Sequence, residues 1–188
     1  MTGEYNCIAA DPPWHETGGC GRGTGNHYGT IRSRADILRV MVTAPCWRPA
    51  AVAHLWLWTT TTSLRDGLWL MDALGFTYKT FGIWGKTNAS GGLLSGMGQY
   101  MRHTFEPILF GTRGAARSLS PPGGNAQDWL DTIEDPLRDR RREHSEKPAS
   151  WYERIEQVSQ HATTRLEMFA RAPRAGWDVW GNEAPGAV

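Results

Sequence analysis

The chain has 188 residues, 40% of them hydrophobic and 21% charged, with 20 Lys and Arg against 19 Asp and Glu for a formal charge of +1. That length holds one domain with a full core. The balanced charge excludes a globally basic nucleic-acid binder, so any phosphate-binding surface has to be local.

No apolar run approaches the length of a bilayer span, and the start MTGEYN is not a signal peptide. Cys7, Cys20 and Cys46 lack Cys-x-x-Cys spacing and are odd in number, which points away from a zinc site or a disulfide framework. A cytoplasmic protein with reduced thiols and no membrane association is expected. The ten tryptophans are unusual; Trp56, Trp58 and Trp84 sit in apolar runs and are expected in the core.

In chain order, YNCIAA (5–10) reads as a short buried strand. It ends in Asp11-Pro12-Pro13-Trp14, and residues 18–29 then hold six glycines, a length and composition that suit a functional loop. Residues 33–42 form a modest helix behind a Ser33 cap. Residues 51–60 are a strongly apolar strand. Residues 63–75 carry Leu64, Leu68, Met71 and Leu74 at helical spacing, with Gly75 as a stop. Strands are expected at 78–88 and 104–114, on either side of the glycine-rich 89–101. Residues 115–141 hold few apolar groups and read as a surface excursion, partly disordered. A helix at 147–160 presents Trp151, Ile155 and Val158 on one face, and strands in TRLEMFARAP and GWDVWGNE finish the chain. Strands alternating with helices predict a single α/β domain over 1–188: a three-layer sandwich with a mostly parallel sheet and helices on both faces.

In such a sheet, ligands collect beyond the carboxyl ends of the strands. Asp11 falls at one of them. A carboxylate there accepts hydrogen bonds from an amino group, the two prolines fix the direction of neighbouring carbonyls, and Trp14 offers a face on which a base can stack. These parts suit a planar ring with an exocyclic amine, donating to Asp11 and to the Pro12 carbonyl. Such an amine is a poor nucleophile. Acceptors on its hydrogens stabilise the positive charge that grows on nitrogen during attack. The competing reading is a capping Asp with prolines as punctuation.

The ordered set DPPW (11–14), YGT (28–30), LWLWTT (55–60), WGKTN (84–88), GMGQYMRHTFEPILFGTRG (96–114), REHSEKPASWYERIE (142–156) and LEMFARAPRAGWDVWGNE (166–183) resembles the MT-A70-like family of N6-adenine methyltransferases. That family includes the catalytic subunit of the eukaryotic messenger-RNA adenosine methyltransferase and many small bacterial and phage members. The resemblance implies a Rossmann-like class I methyltransferase fold, circularly permuted, with the catalytic motif first and the cofactor motifs last. It implies methyl transfer from S-adenosylmethionine to the N6 amine of adenine in nucleic acid, without a metal. DNA is favoured and RNA is the runner-up. A non-catalytic nucleic-acid-binding subunit of the same fold, a homo-oligomer and a partner subunit are also open.

By the same resemblance, Asp11, Pro12, Pro13 and Trp14 are the catalytic set. Asp11, Lys147, Phe169, Arg171, Asn182 and Glu183 hold the cofactor. Tyr28 and Glu106 shape the base pocket. From the residues themselves, Arg22, Arg32 and Arg34 flank the first glycine loop and suit nucleic-acid contact, and Lys86 in WGKTN either reaches the substrate backbone or is a plain strand-end lysine. Relatives carry a cofactor-contacting acid upstream of the catalytic motif, for which Glu4 is the candidate substitute here.

Overall fold

The computed structural model describes residues 3–14, 33–88, 90–93, 100–120, 138–140 and 147–182. Seven strands form one sheet: β1 (Tyr5–Ala10), β2 (Pro49–Trp58), β3 (Thr77–Thr87), β4 (Phe105–Arg113), β5 (Arg138–Arg140), β6 (Arg165–Met168) and β7 (Asp178–Trp180), in the order β5-β3-β4-β2-β1-β6-β7. Among the described residues the helices are α1 (Arg34–Thr43), α2 (Leu64–Ala73) and α3 (Ala149–Val158).

β1 pairs in parallel with β2 and with β6, β6 with β7, and β3 with β5. β4 runs antiparallel to both neighbours. The sheet is thus mostly parallel, as the alternating pattern predicts, with one reversed strand.

Each face of the sheet carries its own core. Ile8, Ala10, Leu55, Leu57, Leu109, Leu166 and Met168 pack against Ile37 and Met41 of α1 and Leu70 and Met71 of α2. Cys7, Ala9, Trp56, Trp58, Trp84 and Ile108 pack against Trp151, Tyr152 and Ile155 of α3. Successive residues of β1 and β2 alternate between the two, the two-residue period of a strand buried on both faces. The expected tryptophans Trp56, Trp58 and Trp84 are all in the second core.

Local signals fix the helix ends. The Ser33 hydroxyl accepts the Asp36 N–H at 3.2 Å, capping α1. α2 closes through Gly75 at φ 79°, with the Phe76 N–H reaching back to the Met71 carbonyl at 3.1 Å. Gly82 admits α3 onto the sheet, since a Cβ there would lie 2.1 Å from the Trp151 ring.

The surface excursion expected over 115–141 is anchored at its start. Ala116 and Leu119 of a 3-10 turn (Ala116–Leu119) are buried, and the Ala116 carbonyl bonds His54 Nε2 at 2.9 Å. Residues 138–140 of the arginine run add the edge strand β5, while 121–137 and 141 lie outside the described residues. No helix of the described residues is long and apolar enough to cross a membrane.

Candidate active site

One end of the sheet gathers the candidate residues. Ala10 pairs with Leu57 and Met168, so the carboxyl ends of β1, β2 and β6 coincide. Because β4 is reversed, its first residues lie at this same end: Trp58 faces Ile108, and Trp84 faces Glu106. Asp11 follows β1, Lys86 ends β3, Glu106 begins β4, Lys147 leads into α3, Phe169 follows β6 and Asn182 follows β7. Ligands bind at this kind of edge in α/β sheets.

Four of these groups form a chain of alternating charge. Lys147 Nζ lies 3.0 Å from Asp11 Oδ2 and 3.1 Å from Glu106 Oε2, and Lys86 Nζ bonds Glu106 Oε1. Their side chains are between 10% and 25% exposed, Lys147 least and Asp11 most. Three buried tryptophans form the floor. Trp58 meets Trp84 and Trp151 edge to face at 6.1 and 5.8 Å, the Lys147 ammonium stands 5.2 Å from the Trp58 ring, and Lys86 stands 5.3 Å from that of Trp84. A cation over an indole face is held there by the ring quadrupole.

Burial sets the electrostatics, and the neighbours modify it. Asp11 titrates above the usual carboxylate range because burial outweighs the attraction of Lys147. For Glu106, burial is overcome by the two ammoniums beside it, which hold it below that range. Lys147 likewise resists its burial, and Asp11 and Glu106 hold its proton more firmly than usual.

The Asp11–Trp14 tetrapeptide folds as a tight turn. The Trp14 N–H donates to the Pro12 carbonyl at 2.9 Å, and the Trp14 indole N–H donates to the Trp58 carbonyl at 2.9 Å. This corrects the expected role of Trp14: at 7% exposure its ring is a packing element under the turn rather than an open stacking face. The Pro12 carbonyl retains a second lone pair for an amine.

The cofactor candidates divide. Phe169 is buried at φ 62°, a left-handed conformation rare for a bulky residue, and packs edge to face on Trp180 at 5.6 Å. Such strain clusters at ligand-binding turns. β6 and β7 close tightly beneath it: the Ala170 N–H donates to the Trp180 carbonyl at 2.9 Å, and a Cβ on Gly181 would lie 2.2 Å from the Ala170 oxygen. Asn182 is exposed at this notch, and the Arg171 charge acts on Asp11. Lys147, expected to meet the cofactor's polar tail or ribose, is ion-paired with Asp11 and Glu106.

Lys86, expected at the substrate backbone, is turned onto Glu106. Arg34 bonds Asp66 at 3.1 Å and stacks on Trp69 at 4.6 Å, so it is committed between α1 and α2. Glu4 precedes β1 at its amino end, with its carbonyl on Thr164. That is roughly 20 Å of strand away from Asp11, so Glu4 cannot replace an upstream acid. Arg22, Arg32, Tyr28 and Glu183 lie outside the described residues.

Two groups escaped the sequence reading. Trp58 was assigned only to the core, although the LWLW alternation already places Trp56 and Trp58 on one face, with Trp58 at the site end. The second group lies under β6. Glu167 accepts from Tyr152 Oη at 2.6 Å and from Arg174 Nε at 2.8 Å, and the Arg174 guanidinium lies 3.3 Å from the Tyr152 ring centroid. The three bind the loop after β6 to α3, and no local pattern signals them.

The MT-A70 family model matches residues 5–183. The chain belongs to the MT-A70 family. Over 204 residues it is 26% identical to the type II methyltransferase M.MunI of Mycoplasma sp, covering 97% of this chain and 78% of that protein. It is 28% identical over 194 residues to an N(6)-adenosine-methyltransferase MT-A70-like protein of Arabidopsis thaliana, covering 99% of this chain but only 24% of the plant protein. The chain therefore spans about a quarter of that plant relative.

Proposed function

We propose that this MT-A70 protein transfers a methyl group from S-adenosylmethionine to the N6 amine of adenine in a nucleic acid, with DNA as the favoured substrate. The carrying observation is the convergence, at one sheet edge, of the Asp11 carboxylate, the Pro12 carbonyl and the notch formed by Phe169, Gly181 and Asn182. The donor set fits the cofactor. Asn182 suits ribose hydroxyls, Phe169 and Trp180 give an apolar wall, and Arg171 suits a carboxylate. The bound cofactor supplies an electrophilic methyl group. Family membership supports this donor.

The chain's own residues prepare the amine. Lys147 engages one Asp11 oxygen. A carboxylate has a second oxygen and spare lone pairs with which to accept an N6 hydrogen, and the Pro12 carbonyl accepts the other. Both acceptors are held before reaction, so they stabilise the charge growing on nitrogen without reorganising. The raised titration of Asp11 leaves it able to accept the proton that the amine sheds. An adenine inside a duplex does not expose this edge to a pocket, so the base is flipped out or presented on a single strand.

The DNA preference is supported by the likeness to the type II methyltransferase M.MunI over 97% of this chain. A cytoplasmic setting accords with Cys7 and Cys46, which are free and buried among the described residues. The order of motifs, catalytic turn after β1 and cofactor notch after β6 and β7, accords with the circularly permuted arrangement.

Labelled-methyl transfer to DNA and RNA oligonucleotides, with the product digested to identify N6-methyladenine, tests this. The wild type is expected to label DNA and Asp11→Ala to label nothing while retaining its fold. Undiminished transfer by that variant, or label on another base, would overturn the reading.

A further inference from the structure

We propose that Lys86 is a positioning residue for this reaction: through Glu106 it fixes Lys147, and through Lys147 it fixes the Asp11 carboxylate. The inference rests on the proposed methyl transfer and assigns Lys86 a role within it.

The geometry is a relay with one member from each of four segments. Lys86 lies on β3, with its backbone N–H donating to the Thr104 carbonyl at 2.8 Å, and so stands beside the start of β4. There Glu106 divides its two oxygens, Oε1 to Lys86 and Oε2 to Lys147. A carboxylate held at both oxygens cannot rotate about its terminal torsion without breaking one bond. Lys147 in turn divides its protons between Glu106 at 3.1 Å and Asp11 at 3.0 Å. Lys86 itself stops at Glu106. It sits over Trp84 at 5.3 Å, as Lys147 sits over Trp58 at 5.2 Å, and the two rings brace each other.

The charges of the four groups sum to zero. Without Lys86, Glu106 keeps one cation and competes with Asp11 for it. The ammonium shifts toward Glu106, and the Asp11 oxygen that meets the amine loses its fixed direction. The groups acting on Asp11 are Lys147, Glu106, Arg171 and, from α3, Tyr152. Lys86 acts on Asp11 through Glu106: without Lys86 the Glu106 charge is less compensated, and that charge makes Asp11 hold its proton to higher pH.

The test compares wild type with Lys86→Met and Lys86→Arg in single-turnover transfer across pH and salt. One charge-assisted hydrogen bond gives the scale. Lys86→Met is expected to lower the rate of the transfer step roughly 10- to 100-fold, with the oligonucleotide KM changed by no more than about 2-fold, and to move the acid limb of the pH profile upward. Lys86→Arg, which keeps charge and reach, is expected to recover most of the rate. A raised KM at unchanged rate, with the salt dependence flattened by about 0.9 per lost phosphate contact, would place Lys86 on the substrate backbone and overturn the proposal. An unaltered rate and KM would overturn it as well. Should the wild type methylate no oligonucleotide, the methyl-transfer reading fails separately. Carboxylate 13C titration of Asp11 then decides the relay. An upward shift in Lys86→Met that Lys86→Arg abolishes supports it, and an unmoved Asp11 sinks it.

Discussion

Replacing Lys147 by methionine keeps the length of the side chain and removes its charge, leaving Asp11 and Glu106 facing each other across the gap. The Lys147 side chain is 10% exposed and its ammonium makes ion pairs of 3.0 and 3.1 Å. Removing one partner from a buried pair typically costs about 3–5 kcal/mol, because the other charge is left stranded. Two features reduce that figure: Glu106 retains Lys86, and the Asp11 side chain is 25% exposed. A loss of about 2–4 kcal/mol at pH 8 is therefore expected, which for a chain of this size lowers Tm by roughly 5–15 °C.

The pH dependence has a defined sign. In the wild type, Glu106 titrates below its ordinary value, so its contribution is present above about pH 4.3 and is lost as pH falls through the folded value. In the variant both carboxylates move upward and the folded state takes up protons first. The deficit should be widest near pH 8 and narrow toward pH 5. Lys147 holds its proton above its ordinary value, so the deficit should also close above about pH 10.4. Urea unfolding at pH 5 and pH 8 measures the gap. A variant within 2 °C of wild type at pH 8 (about 1 kcal/mol or less), or a gap that widens toward acid, refutes the coupling.

Two further outcomes follow from the same structure. Phe169→Ala removes a buried ring at φ 62° and should cost about 3–5 kcal/mol. Phe169→Gly loses the same ring but relieves the backbone, so it should be about 1 kcal/mol more stable than the alanine variant; the opposite order in chemical denaturation would exclude strain at this turn. His54 is 1% exposed, with Nε2–H donating to the Ala116 carbonyl at 2.9 Å and Nδ1 accepting from the Ser159 hydroxyl at 2.8 Å, so it folds neutral. Burial lowers its titration. Its contribution is therefore full above about pH 6.5 and lost as pH falls. The stability difference between wild type and His54→Phe should shrink from pH 7 to pH 5; an unchanged difference would show that His54 titrates alike folded and unfolded, and a growing one that it is charged in the fold.

The fold was legible where local patterns dictate it. The apolar run before Asp11, the Ser33 cap and the leucine spacing of 64–74 specify their elements to within a few residues, because each signal is short-range. Strand direction was not. The reversal of β4 depends on how β3 and β4 pair, and hydrophobic pattern is blind to it, although a connection of 88–104 without a helical repeat was a hint of a hairpin. β5 escaped notice because its RDR sequence has no apolar face; it is held by backbone pairing to Gly85–Thr87.

The site divides in the same way. Asp11 was placed from its four-residue context alone. The sequence alone offers Lys147 the cofactor and leaves Lys86 between the substrate backbone and a plain strand end; it does not show their shared partner, because Glu106 is 20 and 41 residues from them and only the fold brings the three together. Trp14 reads from the tetrapeptide as a flat face for a base. The Pro12–Trp14 turn instead folds its indole under the loop, onto a carbonyl 44 residues away.

β1 sits inside the sheet between β2 and β6, and its partner β6 is made about 158 residues later. While the ribosome is still producing residues 11 to 164, one side of that strand lacks its hydrogen-bonding neighbour, and the notch after β6 and β7 does not yet exist. The nascent polypeptide therefore leaves this buried strand unprotected on one side, and lacks the notch, until the last turns of synthesis. Slow elongation or early termination near residue 160 would leave a sticky, inert product rather than a partly working enzyme.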